Sequence, residues 1–341
     1  MNSAWLWSSR SVTARAARLA LIPPSLAYRA AMAVRNRAYD MKLLSSAEAD
    51  VPVVSVGNLT VGGSGKTPIS SWIARYYAGE GIQPGIVLRG YGGDEARVHR
   101  RLAQSAIVVE SPDRVAGSNQ AAASGAQVVI LDDAFQRLDI ERDLNIVLIS
   151  AESGRAVRWT LPAGPWREGF SALKRADLVV VTRKRAGLGP ARAMADRVQR
   201  IIGSRPVVRA RLGISGFRGL LSGRAFPAET MENRRILAAP GIADPKSLAV
   251  QCRRLGAEVR LLPFADHEAF SASDVREILH LRTRVDYVVV TEKDAVKLEW
   301  LWPDAEPEPL VAILDVVWEE GQIDLQAALD MVVFDAERST A

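Results

Sequence analysis

Cysteine is almost absent from this 341-residue chain, with Cys252 standing alone. One thiol closes no internal disulfide. Without a Cys-x-x-Cys pair or a Cys/His cluster it also argues against structural zinc, and it fits a reducing compartment. Histidine is nearly as scarce: His99, His267 and His280 are all there is. Aromatics make up 6% of the chain, few for stacking successive bases along a nucleic acid. Long apolar runs are missing too. The best, Leu19 to Val34, is interrupted by Pro23-Pro24 and Arg29, well short of the roughly 18–20 apolar residues of a spanning helix. Arginines flank it and no small-residue cleavage site follows, so it does not read as a signal peptide.

What is present is a chain with 48% apolar and 24% charged residues, the balance of a globular protein long enough for two domains. The net charge of +5 and a pI near 9.5 imply attraction to something anionic: nucleotide, nucleic acid or lipid headgroups. Arg10, Arg15, Arg18, Arg29, Arg35, Arg37 and Lys42 crowd into the first 42 residues against a single acid, Asp40. With Trp5, Leu6 and Trp7 beside them, they suit an interfacial helix whose apolar side chains sit at the acyl boundary while its guanidinium groups meet lipid phosphates. The alternative is an Ala-rich helix packed on the protein's own surface.

Val51 to Val56 is a β-branched run followed by glycines and then by Pro68 to Ala78, where Ile69, Trp72, Ile73 and Tyr76 fall at helical spacing: strand, loop, helix. Further apolar runs at 85–88, 106–109, 128–131, 145–149 and 178–181 alternate with helix-length segments, which predicts a parallel sheet covered on both faces. Residues 212–233 lose periodicity and read as a linker or crossover between lobes. Beyond it come strands at 236–239, 258–262 and 287–290, with helices at 245–255 and 273–281. The runs beginning Asp177-Leu-Val-Val-Val-Thr and Asp286-Tyr-Val-Val-Val-Thr echo one another.

The loop Gly62-Gly63-Ser64-Gly65-Lys66-Thr67 carries the most chemistry. Backbone N–H groups at a helix N-terminus wrap phosphates, Lys66 neutralises them and Thr67 binds Mg²⁺. The strict pattern places another glycine where Thr60 stands, and an ordinary Gly-rich turn is the competing reading. Val128 to Leu131 ends in Asp132-Asp133, an acidic pair suited to Mg²⁺ or its water shell beside such a loop, or else a strand running into an Asp-rich turn. Phosphoryl transfer to a hydroxyl benefits from a base. His267 follows a predicted strand end, whereas His99 and His280 read as structural or solvated, and Asp94 in Gly92-Gly93-Asp94-Glu95 is a loop candidate to orient a histidine.

Ser55-Val-Gly-Asn-Leu-Thr-Val-Gly-Gly-Ser-Gly-Lys-Thr-Pro68, Leu88-Arg-Gly-Tyr-Gly92, Gly93-Asp-Glu95, Leu131-Asp-Asp-Ala-Phe-Gln136, Leu161-Pro-Ala-Gly-Pro165 with Arg167-Glu168, Asp266-His267 and Val290-Thr-Glu-Lys-Asp-Ala-Val-Lys-Leu298 together resemble the tetraacyldisaccharide 4'-kinases, the lipid A 4'-kinases of Gram-negative bacteria. The resemblance spans about residues 51–298. It implies a peripheral enzyme on the cytoplasmic face of the inner membrane that passes the ATP γ-phosphate to the 4'-hydroxyl of an acylated glucosamine disaccharide 1-phosphate. It also implies that Ser64, Lys66 and Thr67 serve ATP and Mg²⁺, that Asp133 lies at the metal, and that Asp94 and His267 form the base pair. Arg89, Tyr91, Arg114, Gln136 and Glu168 fall where that family lines its nucleotide and lipid site. Ala134 stands where glycine is usual, Arg137 where histidine is common, and the segment before Asp94 is short.

The expected architecture is α/β: a basic membrane-associating helical arm over 1–45, a P-loop NTPase-like parallel sheet flanked by helices over 46–215, and a smaller α/β lobe over 216–341. A monomer with no nucleic-acid partner is expected. The competing functions are a GTPase switch, for which Thr291-Glu292-Lys293-Asp294 has guanine-reading residue types at the wrong spacing, and a nucleic-acid-dependent ATPase.

Overall fold

A computed structural model describes residues 6–7, 9, 11–90, 93–155, 157–265, 269–304 and 307–340. In chain order its principal elements are α1 (Val12–Ala20), α2 (Ile22–Asp40), β1 (Val53–Asn58), α3 (Lys66–Gly79), β2 (Pro84–Leu88), α4 (Asp94–Leu102), β3 (Ile107–Glu110), α5 (Arg114–Ala123), β4 (Val128–Asp132), β5 (Leu144–Ser150) and β6 (Leu178–Arg183). Then follow α6 (Leu188–Ile202), β7 (Val207–Gly219), β8 (Ala225–Pro227), β9 (Arg235–Ala238), α7 (Pro245–Arg254), β10 (Glu258–Leu261), α8 (Ala272–Arg282), β11 (Tyr287–Thr291), α9 (Glu292–Leu298), β12 (Leu310–Glu320) and α10 (Gln322–Thr340).

The chain forms two compact units, one of Met1–Gly90, Leu102–Arg211 and Trp318–Ala341, the other of Tyr91–Arg101 and Leu212–Val317. A division by sequence at 215/216 differs from this at three places: 91–101 and 212–215 go with the second unit and 318–341 with the first.

The first unit is a parallel sheet in the order β7-β6-β5-β1-β4-β2-β3. Every residue of β1, β2 and β4 is buried, which is why these strands are written as unbroken apolar runs rather than alternating ones. A recurring device fixes their register. The residue just before a strand uses its side-chain oxygen to accept an N–H at the start of the neighbouring strand: Asp143 from Val53 at 2.7 Å and Asp177 from Asn145 at 2.8 Å. In the second unit Asp286 accepts from Arg235 at 2.8 Å in the same way. The two aspartates that open the echoed runs therefore share one structural task.

Helix α2 begins where the prolines allow it, with Pro23 and Pro24 in its first turn, where a missing N–H costs nothing. It docks on the first unit through Ser25, fully buried, whose hydroxyl donates to the Thr160 carbonyl at 2.8 Å. Helix α10 closes on α3: the buried Tyr77 hydroxyl donates to the Leu329 carbonyl at 2.9 Å, and Tyr76 to Asp330 at 2.6 Å. No helix among the described residues is long and apolar enough to cross a membrane.

In the second unit β10, β9, β11 and β12 run parallel in that order. The segment 212–233 is not a linker. Residues 212–219 complete β7, and β8 pairs antiparallel with it, Phe217 opposite Phe226. Glycines at 213, 216 and 219 hide that strand from a periodicity reading, because backbone pairing rather than side-chain alternation holds it.

Candidate active site

The glycine loop leaves the C-terminal end of β1, the edge of a parallel sheet where ligands of such folds bind. Gly62 and Gly65 have φ of +116° and +94°, the left-handed region open to glycine at little cost. Gly65 is the N-cap of α3 and no side chain caps that helix, so its first N–H groups are directed at whatever lies before them. The loop is braced on three sides. Val61 N–H donates to the Pro165 carbonyl at 2.8 Å, and Arg167 N–H to the Leu59 carbonyl at 2.8 Å. The buried Asn58 side chain donates to Ser64 Oγ at 2.7 Å. Thr182 at the end of β6 donates to the Ser64 carbonyl at 2.8 Å, and Lys184 Nζ to that of Gly63 at 3.0 Å.

The acidic pair follows β4, the strand beside β1, with Val56 opposite Asp132. Asp132 is buried and accepts from Ser70 of α3 at 3.3 Å. Asp133 has φ of +55°, uncommon for a non-glycine residue. Its carboxylate lies 3.6 Å from Lys66 Nζ and accepts both terminal nitrogens of Arg167 at 2.7 and 2.9 Å. Burial would raise its pKa, but Lys66, then Arg167, outweigh that and hold it below the usual carboxylate range. Ala134, at the position where the resemblance expects glycine, is fully buried and needs no positive φ; the left-handed turn falls on Asp133 instead.

Gln136 and Glu168 meet beside this loop. Gln136 Nε2 donates to the Asn58 carbonyl at 2.9 Å and to Glu168 at 3.2 Å. Glu168, buried, also takes Arg175 at 2.8 Å and Asn36 of α2 at 2.7 Å. Arg114 at the start of α5 is buried and donates to the Asp132 carbonyl at 3.2 Å; burial, then Arg137, lower its pKa. Arg89 is exposed at the end of β2.

Thus Lys66, Asp133, Ser64, Gln136, Glu168, Asp132 and Arg114 gather in the first unit. Asp94 belongs to the second. It opens α4 rather than lying in a loop, and its carboxylate pairs with Lys297 at 3.4 Å while Glu95 pairs with Lys293 at 2.7 Å. His267 and Tyr91 lie outside the described residues. Phe264 and Phe270, on either side of 266–268, pack at 5.0 Å. His99 is fully buried, a structural place, whereas His280 is exposed on α8, a solvated one. Arg167, Asn58, Thr182 and Lys184 were not singled out as site residues from sequence. The only signal for Thr182 was the echo, and Asn58 was marked only by its place in the Ser55–Pro68 stretch that carries the resemblance.

A family model described as LpxK, tetraacyldisaccharide-1-P 4'-kinase, matches residues 17–334. The chain belongs to that family. It is 35% identical to the tetraacyldisaccharide 4'-kinase of Pelobacter propionicus, covering 90% of this chain and 91% of the relative, and 33% identical to that of Geobacter sulfurreducens, covering 91% and 92%. The crystal structure of LpxK from Aquifex aeolicus in complex with ATP aligns with a TM-score of 0.71 at 25% identity, covering 93% of this chain and 99% of that one. The enzyme class is therefore a kinase, and its mostly parallel α/β architecture is the family's.

Proposed function

We propose that this kinase transfers the γ-phosphate of ATP to the 4'-hydroxyl of a tetraacyldisaccharide 1-phosphate, the lipid A precursor. The observation that carries the reading is the uncapped N-terminus of α3 behind two left-handed glycines, with Lys66 paired to a carboxylate held ionised. Loop N–H groups and Lys66 stabilise charge on the transferring phosphoryl, the main demand of such reactions. The donors near the loop, Thr67, Asp132 and Asp133, are hard oxygens that fit Mg²⁺. An ion of this kind keeps several waters and shares nucleotide phosphates, so one or two carboxylates beside the loop are enough to hold it. When bound, Mg²⁺ supplies further positive charge at those phosphates.

His267 is the proposed base for the sugar hydroxyl, with Asp94 orienting it and Lys297 anchoring Asp94. Arg89, Tyr91 and Arg114 are proposed to meet nucleotide or lipid phosphate. The arm presents Val12, Leu19, Leu26 and Val34 exposed beside Arg15, Arg29 and Arg37. We assign it to the surface of the inner membrane on its cytoplasmic side, where apolar and cationic groups on one exposed face favour an anionic interface.

The test is phosphate transfer from ATP to tetraacyldisaccharide 1-phosphate in mixed micelles. Lys66→Ala should abolish ATP binding and turnover, and His267→Ala should lower kcat by about 10²–10⁴-fold with ATP affinity kept. A His267→Ala enzyme with native kcat would refute the base. No transfer by the native enzyme to this acceptor would refute the substrate.

A further inference from the structure

We propose that Asn36, on helix α2 of the N-terminal arm, is a positioning residue for the glycine loop, acting through a hydrogen-bonded chain that passes through the Asn58 backbone and ends on Ser64. This rests on reading the loop as the ATP site. Asn36 Nδ2 donates to Glu168 Oε1 at 2.7 Å, and Glu168 Oε2 accepts Gln136 Nε2 at 3.2 Å. The same Gln136 nitrogen donates to the Asn58 carbonyl at 2.9 Å, and Asn58 Nδ2 reaches Ser64 Oγ at 2.7 Å. A branch leaves at Gln136, whose Oε1 accepts Arg167 at 3.4 Å; Arg167 grips Asp133, which pairs with Lys66. Five of the groups that shape the phosphate site thus trace back to one carboxylate, and one of that carboxylate's three donors comes from the arm.

Burial makes the chain stiff. Asn58 is fully buried, Ser64 is 3% exposed and Glu168 6% exposed, so water does not readily replace a lost partner and each bond fixes the next. Arg175 Nη2 neutralises Glu168 and donates to both its oxygens, at 2.9 and 2.8 Å, while Asn36 adds a second donor at Oε1 and Gln136 one at Oε2. Removing Asn36 leaves Oε1 with Arg175 as its one remaining donor among these groups, so the carboxylate can pivot about Arg175 and shift Oε2, the acceptor of the Gln136 amide that lies between Asn58 and Arg167. The arm has a separate anchor in Ser25, bonded to Thr160, which contributes nothing to this chain. Docking the arm and aligning the loop are therefore different jobs done by different residues of the same helix.

The experiment compares full-length Asn36→Ala, Asn36→Gln and Ser25→Ala with the native enzyme in detergent micelles. ATP affinity is read by calorimetry, KM for ATP and kcat from transfer assays, and folding from the melting temperature. Asn36→Ala should weaken ATP binding and raise KM for ATP on the order of tenfold, the scale of a small misplacement of a positioning group. Asn36→Gln, which keeps the amide donor, should recover part of it. Ser25→Ala should lower the melting temperature while leaving ATP affinity native. ATP affinity within twofold of native in Asn36→Ala, or an equal loss in Ser25→Ala, would overturn the proposal. Lys66→Ala separates the two levels: if it still binds ATP normally, the ATP-site reading falls and this proposal with it.

Discussion

Arg167 holds Asp133 by both terminal guanidinium nitrogens, at 2.7 and 2.9 Å, while Asp133 sits at a φ of +55°. A strained non-glycine residue persists only where its surroundings fix it, and here a bidentate grip does so. Arg167→Lys keeps the charge but replaces a planar fork with a point donor. We expect kcat/KM for ATP to fall by about 10–100-fold, equivalent to one charge-assisted hydrogen bond, with the melting temperature nearly unchanged. Steady-state kinetics beside a thermal melt check both halves; native kinetics would remove Arg167 from the site.

Gly57 lies within buried β1, and a Cβ there would stand 2.5 Å from Phe135 Cβ and 2.6 Å from its backbone nitrogen. Neither neighbour is a flexible side-chain tip. Gly57→Ala is expected to cost about 3 kcal/mol or more, the upper range for overpacking, measured as a shift of the urea midpoint.

Glu152 accepts the backbone N–H groups of Lys184, Arg185 and Ala186, each at 2.9 Å, and the Ser150 hydroxyl. Burial would raise its pKa, yet the Ser150 and backbone hydrogen bonds pull it down to about 2. Because the folded value lies below the unfolded one, its contribution is fully present above about pH 4.5 and is lost as pH falls toward 2. Glu152→Gln should therefore destabilise the enzyme at pH 7 by about 1–3 kcal/mol and show a flatter loss of stability between pH 5 and 3 than the native chain. Parallel unfolding curves across that range would contradict this.

Asp294 is fully buried and accepts Gly241 N–H at 2.8 Å, Thr291 N–H at 2.9 Å and the Thr291 hydroxyl at 2.6 Å. It caps α9 and pins the turn after β9. Two segments of the second unit thus depend on one carboxylate. Asp294→Ala should lower stability by about 2–4 kcal/mol through the lost cap and the orphaned donors, and should raise hydrogen exchange at Gly241; protection unchanged there would refute the link.

The hydroxyl of Tyr77, fully buried, joins α3 to the C-terminal helix through the Leu329 carbonyl. Tyr77→Phe removes this tie and leaves the Leu329 carbonyl only its place in the α10 backbone ladder. A loss of about 1 kcal/mol with faster amide exchange in α10 is expected; exchange at the native rate would show that the bond does not hold the helix.

Parallel strands covered on both faces must be apolar throughout, so β1, β2, β4, β5 and β6 were legible as runs to within a residue or two. Glycines at 62 and 65 were legible because a loop that aims its N–H groups at phosphate needs φ values other residues avoid. Lys66 and the acidic pair followed from their spacing to those elements. Strand β7 as a whole, and β12 with its mixed burial, were hidden because pairing rather than alternation defines them.

The sequence by itself determined the parallel sheet, the glycine loop and the family. Only the tertiary structure decided who holds these parts. Asp133 is gripped by Arg167, 34 residues away, and Glu168 takes one of its donors from Asn36, 132 residues away; no local pattern encodes pairs so far apart. The placement of 91–101 with the second unit and 318–341 with the first was likewise closed to a linear reading. Backbone geometry leaves a local signature in residue type, whereas side-chain hydrogen bonding is settled where distant segments meet.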